Sequence, residues 1–225
     1  MIQSINLQTG RITAVGAIVC QFVIVFTALA AYPAPGAAQL RISEVLSAPT
    51  EDYDLDGEVD SKSDEFVEVH NPSAETVVLQ NWYLRDGTGD AYHYGFAGSI
   101  PPGGTLVVTG TMSQVWQAEN EAGTSGLSLN NTGDVVELWF DDPESTPVLL
   151  DTVTVPPHAA QAGRSLALDF VDDTYVLHDA LAPYGGASFP GSTGCAPNPG
   201  IPGTCTGGVP TEARAWGALK ADYGG

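Results

Sequence analysis

The sequence predicts an all-β protein, an antiparallel sandwich or barrel with an irregular tail, and three observations lead there. Short runs rich in β-branched and aromatic residues recur through the middle of the chain, each bounded by Gly, Pro, Asn or Asp. In the clearest of them apolar positions follow the period of a strand: Val67 and Val69 stand opposite Phe66 and Glu68, and Val136, Leu138 and Phe140 opposite Val135, Glu137 and Trp139. With 26 Gly and 16 Pro among 225 residues, no segment sustains a long amphipathic helical period.

Taken in order, the chain opens on a segment that reads as an export signal. Arg11 precedes an apolar run over 12–31, and Ala28-Leu-Ala30 and Gly36-Ala-Ala38 are both small-x-small patterns, so cleavage is expected after Ala30 or Ala38. The alternative is an uncleaved anchor, since about 20 apolar residues suffice to span a bilayer. Cys20 within this run reads as a bystander. Residues 39–184 then carry the strand-like runs: Arg41–Leu46, Glu65–His70, Trp82–Asp86, Ala91–Phe96, Thr105–Thr109, Leu127–Leu129, Asp134–Phe140, Val148–Val155, Ser165–Leu168 and Tyr175–His178. Regular strands at this spacing pack Ile42, Val67, Val69, Trp82, Leu84, Val108, Val136, Leu138 and Leu166 inside. One short helix is expected over Ser113–Glu119. Residues 185–225 form a Gly/Pro-rich tail ending in a helix-like pattern around Trp216, Leu219 and Tyr223. Cys195 and Cys205, the two cysteines past the signal, are expected to pair as a disulfide in an exported chain; free thiols or half a metal site are the alternative.

Charge narrows the partners. With 27 Asp and Glu against 7 Lys and Arg the formal charge is −20, so the basic footprint that nucleic acid requires is missing. At 43% apolar residues and a mean hydropathy of +0.03 the chain still has enough apolar side chain for a core, which separates it from disordered acidic tails.

Several segments in sequence order resemble one known family. Ile42-Ser-Glu-Val45, Asp64-Glu-Phe-Val-Glu-Val69 with His70-Asn-Pro72, and Val78-Leu79 before Asn81-Trp-Tyr-Leu84 open the series. Ile100-Pro-Pro-Gly-Gly104 before Leu106-Val-Val108, Leu127-Ser-Leu-Asn-Asn-Thr-Gly-Asp134 with Val136-Glu-Leu138, Leu150-Asp-Thr-Val153 and Gly163-Arg-Ser-Leu166 follow it. This stretch, about residues 40 to 170, resembles the lamin tail domain as it occurs in exported bacterial proteins. The resemblance implies an immunoglobulin-like β-sandwich used as an interaction module, and it does not imply catalysis. There is no coiled-coil rod and no basic patch, so no analogy to nuclear lamins themselves is drawn.

The segment richest in chemistry is Asp52-Tyr-Asp54-Leu-Asp56-Gly57-Glu58-Val-Asp60-Ser-Lys-Ser63-Asp64. Oxygen donors at positions 1, 3 and 5, a Gly at 6 and an acid at 9 are the first half of a calcium loop, which wraps a hard cation in oxygens. Ser63 stands where a bidentate Glu is usual, so Asp64 or Glu65 would have to close the shell. Asp52, Asp54, Asp56, Glu58, Asp60 and Asp64 are therefore the expected ligands of a weak calcium site, with a solvated acidic turn as the alternative. Magnesium fits less well because it demands near-octahedral geometry.

Other constellations carry less. His70, His93, His158 and His178 have no pair at zinc-ligand spacing. Gly163-Arg-Ser165-Leu-Ala167 approaches a nucleophile elbow but lacks its second Gly, and strand follows where the elbow needs a helix. Asp141-Asp142 and Asp172-Asp173 read as solvent-facing turns, although glycoside cleavage also needs paired acids. Trp82, Trp139, Tyr92, Tyr94 and Phe96 include candidates for a sugar-stacking surface, with Trp82 expected inside. The sequence thus points to a secreted or cell-surface, calcium-stabilised, non-enzymatic module. Its partner is a protein or a cell-surface or matrix component, not nucleic acid, and a membrane only through an uncleaved N-terminus. The contrasting reading is a secreted hydrolase acting on carbohydrate or phosphoester, or an accessory domain of one.

Overall fold

The computed structural model describes residues 40–181 and 186–201. The export segment, Cys20, Cys205 and the terminal Trp216–Tyr223 segment lie outside the described residues. Among the described residues thirteen strands and one helix follow in order: β1 Arg41–Leu46, β2 Phe66–His70, β3 Val77–Val78, β4 Trp82–Asp86, β5 Tyr92–Gly95, β6 Ser99–Ile100, β7 Thr105–Thr109, α1 Gly110–Glu119, β8 Asp134–Phe140, β9 Val148–Val155, β10 Ser165–Asp169, β11 Thr174–His178, β12 Ala180–Leu181 and β13 Gly186–Ala187. They build a five-stranded sheet in the order β11-β10-β1-β2-β7 and a four-stranded sheet in the order β5-β4-β8-β9, with the short ribbons β3-β6 and β12-β13 beside them. Every pairing between these strands is antiparallel. The result is an immunoglobulin-like sandwich.

The alternating residues do what their period demands. Ile42, Val45, Val67, Val69, Val108 and Leu166 from the larger sheet meet Trp82, Leu84, Val136, Leu138 and Val153 from the smaller one in a single core. All nine residues expected inside are at most 6% exposed. β1 achieves this through an irregularity: its register against β2 shifts between Ile42 and Glu44, so Ile42 and Val45 both reach the core from an odd spacing. Arg41 at the start of β1 pairs with Asp151 on β9 (3.1 Å), linking the central strand of the larger sheet to an edge strand of the smaller one.

Three differences from the sequence expectation have physical reasons. Leu127 and Leu129 are buried but form no strand, because Ser128 sits at φ +60° and the Leu129 N–H donates to the Glu65 side chain at 3.1 Å, not to a ladder. The helix starts at Gly110, not Ser113, because the Thr109 hydroxyl accepts from the Met112 N–H and caps it. Gly110 itself is there for space: a Cβ on it would lie 1.7 Å from the Lys62 carbonyl oxygen. Finally, residues 186–201 of the Gly/Pro-rich region lie against the larger sheet. Ala180 N–H donates to the Cys195 carbonyl (2.8 Å) and Thr193 N–H to that of Leu177 (3.0 Å).

Candidate metal centre and the covered sheet face

The acidic loop joins β1 to β2 and is organised around Asp64, which is fully buried at the foot of β2. One carboxylate oxygen of Asp64 accepts the N–H groups of Tyr53 (2.6 Å) and Asp54 (3.0 Å), and the other accepts that of Asp60 (2.7 Å). A single side chain thereby closes both ends of the loop. Leu55 at φ +64° and Gly57 at φ +97° wind the chain between those ends, and Asp52 accepts the Gly57 N–H at 2.9 Å. Asp54 accepts the Thr111 hydroxyl at 2.5 Å, which fastens the loop to the first turn of α1.

Asp52, Asp54 and Asp64 each present an oxygen, and these oxygens lie within 4.8 Å of one another. Ligands 2.3–2.6 Å from a calcium ion can stand at most about 5 Å apart, so this set can share one ion. Oδ1 of Asp52 is buried and has no hydrogen-bond partner, the orphaned acceptor a hard cation would satisfy. The other three expected ligands lie elsewhere. Asp56 and Glu58 are exposed, Asp56 accepting the Glu58 N–H at 2.8 Å. Asp60 caps the turn below the site through the N–H groups of Lys62 and Ser63, and those bonds hold its carboxyl below the usual range. Burial, reinforced by the charges of Glu51, Glu44 and Asp64, pushes the Tyr53 phenol above its ordinary value. Glu65, the other closing residue considered, points away to Leu129, and burial pushes its carboxyl up to about 8.

Sequence reasoning missed a second polar cluster. The outward side of β1 and β2 carries Glu44 and Glu68, directly opposite one another and both buried. Glu44 accepts the Ser165 hydroxyl and the Asn198 N–H (3.2 Å), and Glu68 accepts the Ser43 hydroxyl and the Gly200 N–H (2.5 Å). Asp179, also fully buried, accepts the Ser188 N–H (3.0 Å) and the Ser192 hydroxyl. Three buried carboxylates thus fasten segment 188–200 over the sheet. Burial raises the Glu68 carboxyl, with the bonds from Ser43 and Gly200 pulling it back.

Ser165, His178 and Glu44 meet in this cluster, yet not in the order that activates a hydroxyl. The Ser165 hydroxyl donates its hydrogen bond to Glu44 directly, and His178 Nδ1 lies 3.5 Å from the same Glu44 oxygen. A nucleophilic triad needs the imidazole between the hydroxyl and the acid, and all three side chains here are shut from solvent. The remaining histidines are apart: His70 lies tilted against Phe170 (4.5 Å), His93 meets the Gly126 carbonyl (3.0 Å) and His158 stacks on Phe189 (4.9 Å). Two local signals did exist, Glu44 and Glu68 inside otherwise apolar strands, but which strands pair is not a local property.

Compared with known proteins, the chain matches the model of the Lamin Tail Domain family over residues 33–155, more than half its length. No curated protein and no solved structure matches it. The matched span ends with the last residue of β9, so β10 and β11 complete the larger sheet from beyond it, and the covering segment follows them.

Proposed function

The chain belongs to the lamin tail domain family, and from that premise we propose that it is an exported, non-enzymatic interaction module whose acidic loop is set by calcium. Domains of this family are generally non-catalytic immunoglobulin-like modules, and the buried, wrongly ordered Ser165–Glu44–His178 set agrees with that reading. Export rests on the apolar run 12–31 with its small-x-small sites after Ala30 and Ala38. Pairing of Cys195 with Cys205 belongs to the same reading; Cys195 is 4% exposed. The partner is a protein or a surface or matrix component, reached outside the cell.

The observation that carries the calcium reading is the convergence of Asp52, Asp54 and Asp64 oxygens around the orphaned Asp52 Oδ1. An ion there would offset repulsion among three carboxylates, so binding free energy becomes folding free energy. With few protein ligands and open positions for water, affinity should fall at roughly 10⁻⁴ to 10⁻³ M. In about 5 mM calcium the melting temperature should therefore rise by about 3–5 °C over chelator. Asp52→Asn keeps an acceptor for the Gly57 N–H but removes a charge, and it should abolish that rise, whereas Asp56→Ala should leave it. Identical melts in calcium and chelator, with no heat of binding, would return the loop to a solvated turn.

A further inference from the structure

The outer face of the four-stranded sheet carries a second, unassigned surface. Tyr83 on β4, Trp139 on β8 and Leu149 on β9 stand in one cross-strand row, since Tyr83 pairs with Trp139 and Trp139 with Leu149. At the β5 end the row continues over Gly95, where Trp116 of α1 lies so close that a Cβ would sit 2.8 Å from its ring. Next to this row run Tyr92, Arg85 and Glu137, again in cross-strand register. Tyr83, Tyr92, Trp116 and Trp139 all lie outside the core cluster, although Tyr94, Phe140, Trp82 and Phe96 of the same strands and turns belong to it or pack on it. Of the five rings the sequence offered for sugar stacking, the structure therefore sends Trp82, Tyr94 and Phe96 inward and leaves Trp139 and Tyr92 outside, joined by Tyr83 and Trp116.

These side chains hold one another in place. Tyr83 and Tyr92 stack at 4.4 Å and 19°, and Tyr83 meets Trp116 edge-on at 6.4 Å. Arg85 lies 4.0 Å over the Trp139 ring. Glu137 binds Arg85 Nε at 2.9 Å and Trp139 Nε1 at 2.8 Å, and Tyr92 donates to Asp141 at 2.7 Å. A row of rings held by stacking contacts, with Trp139 and Tyr92 also hydrogen-bonded, loses little rotamer freedom when a ligand arrives.

We infer that this strip binds a neutral glycan chain, an inference that rests on the interaction-module reading and names its ligand class. Ring faces beside hydroxyl acceptors are what a sugar requires, because its C–H face stacks on an aromatic surface while its hydroxyls donate to carboxylates. Strands about 4.8 Å apart make the four-strand row about 14 Å long, enough for a short oligosaccharide lying across the strands. Charge selects neutrality. The cation on the strip, Arg85, is already neutralised by Glu137, and Asp90 and Asp141 stand beside it, so a polyanion or an anionic membrane would meet net repulsion.

Affinity electrophoresis of the full chain through gels containing soluble neutral polysaccharides, namely glucans, mannans, xylans and galactans, reads the proposal directly, with polygalacturonate as the anionic control. Retardation by at least one neutral polymer is expected, with or without chelator, and Tyr83→Ala and Trp139→Ala should each weaken it about tenfold or more. Melting curves of both variants establish that they are folded, and Tyr83→Phe should retain binding. The proposal is overturned if no neutral polymer retards the chain, if the control alone does, or if retardation survives Tyr83→Ala combined with Trp139→Ala. Released reducing ends alongside variant-sensitive retardation would support the strip while overturning the non-enzymatic reading. Loss of the calcium response alone leaves the strip standing.

Discussion

The two sheets of this sandwich treat their outer faces in opposite ways. On the five-stranded sheet the outward residues Glu44, Leu46, Phe66 and Glu68 are buried beneath the acidic loop and segment 188–200. On the four-stranded sheet the outward residues Tyr83, Arg85 and Trp139 are half-buried, with Tyr83 against Tyr92 and Trp116 and Arg85 over Trp139, and Leu149 is exposed. Polar groups follow the same division. Carboxylates on the covered face are saturated by backbone N–H and serine hydroxyl groups, which makes them structural; those on the open face hold rings in register, which leaves the rings available. A buried carboxylate contributes to stability only while its donors are in place, whereas a surface ring can be removed with little effect on folding.

That contrast can be broken most severely at Gly110. A methyl group there would run into the Lys62 carbonyl, and backbone cannot swing aside as a side chain could. Gly110→Ala should therefore lose about 3 kcal/mol or more in urea melts and loosen the acidic loop together with the helix start. Next in size is Glu68→Ala, which strands the Ser43 hydroxyl and the Gly200 N–H beneath the cover and should lose about 2–3 kcal/mol, with earlier hydrogen exchange at Gly200.

Glu68→Gln sharpens the comparison in the other direction. Burial raises the Glu68 carboxyl, so the folded state holds its proton more tightly than the unfolded state does. The stability this supplies is present below the ordinary glutamate range near 4.5 and is lost as pH rises through the raised value. The amide has no such titration, can accept the Gly200 N–H and can donate to Ser43. It should flatten the pH dependence of the melt and raise the melting temperature at neutral pH. The smallest effect belongs to the open face: Tyr83→Ala should change stability by about 1 kcal/mol or less while removing glycan retardation, which separates a binding residue from a packing one.

How much of this could be read from sequence follows the range of the interaction concerned. Strand alternation and turn residues are local, so β1, β2, β4, β7, β8 and β9 and the core residues from Ile42 to Leu166 were legible. The acidic loop was legible as a cation-binding pattern, but not which acids converge. That choice depends on Asp64 drawing in the backbone of Tyr53, Asp54 and Asp60, and so on a tertiary hydrogen-bond pattern that spacing does not encode. The third layer was not legible at all. Composition marks residues 185–210 as linker, and only the pairing of β1 with β2 and β10 creates the carboxylate pair that such a segment can cover. Leu127–Leu129 shows the converse, an apolar pattern without a strand, because Ser128 turns the backbone away from extended geometry.

The cover reaches Glu44 and Glu68 through the main chain of Pro197-Asn198-Pro199-Gly200, and this has a consequence for register. Proline has no N–H, so donors and blanks alternate along these four residues, with the donors at Asn198 and Gly200 facing the carboxylates. A slip by one residue in either direction would set Pro197 or Pro199 against a buried anion with nothing to offer it. The segment thus works as a two-tooth key: neither 198 nor 200 can become proline, Gly200 is held to glycine as well by its φ of +87°, and the position along the sheet is fixed by where the prolines are.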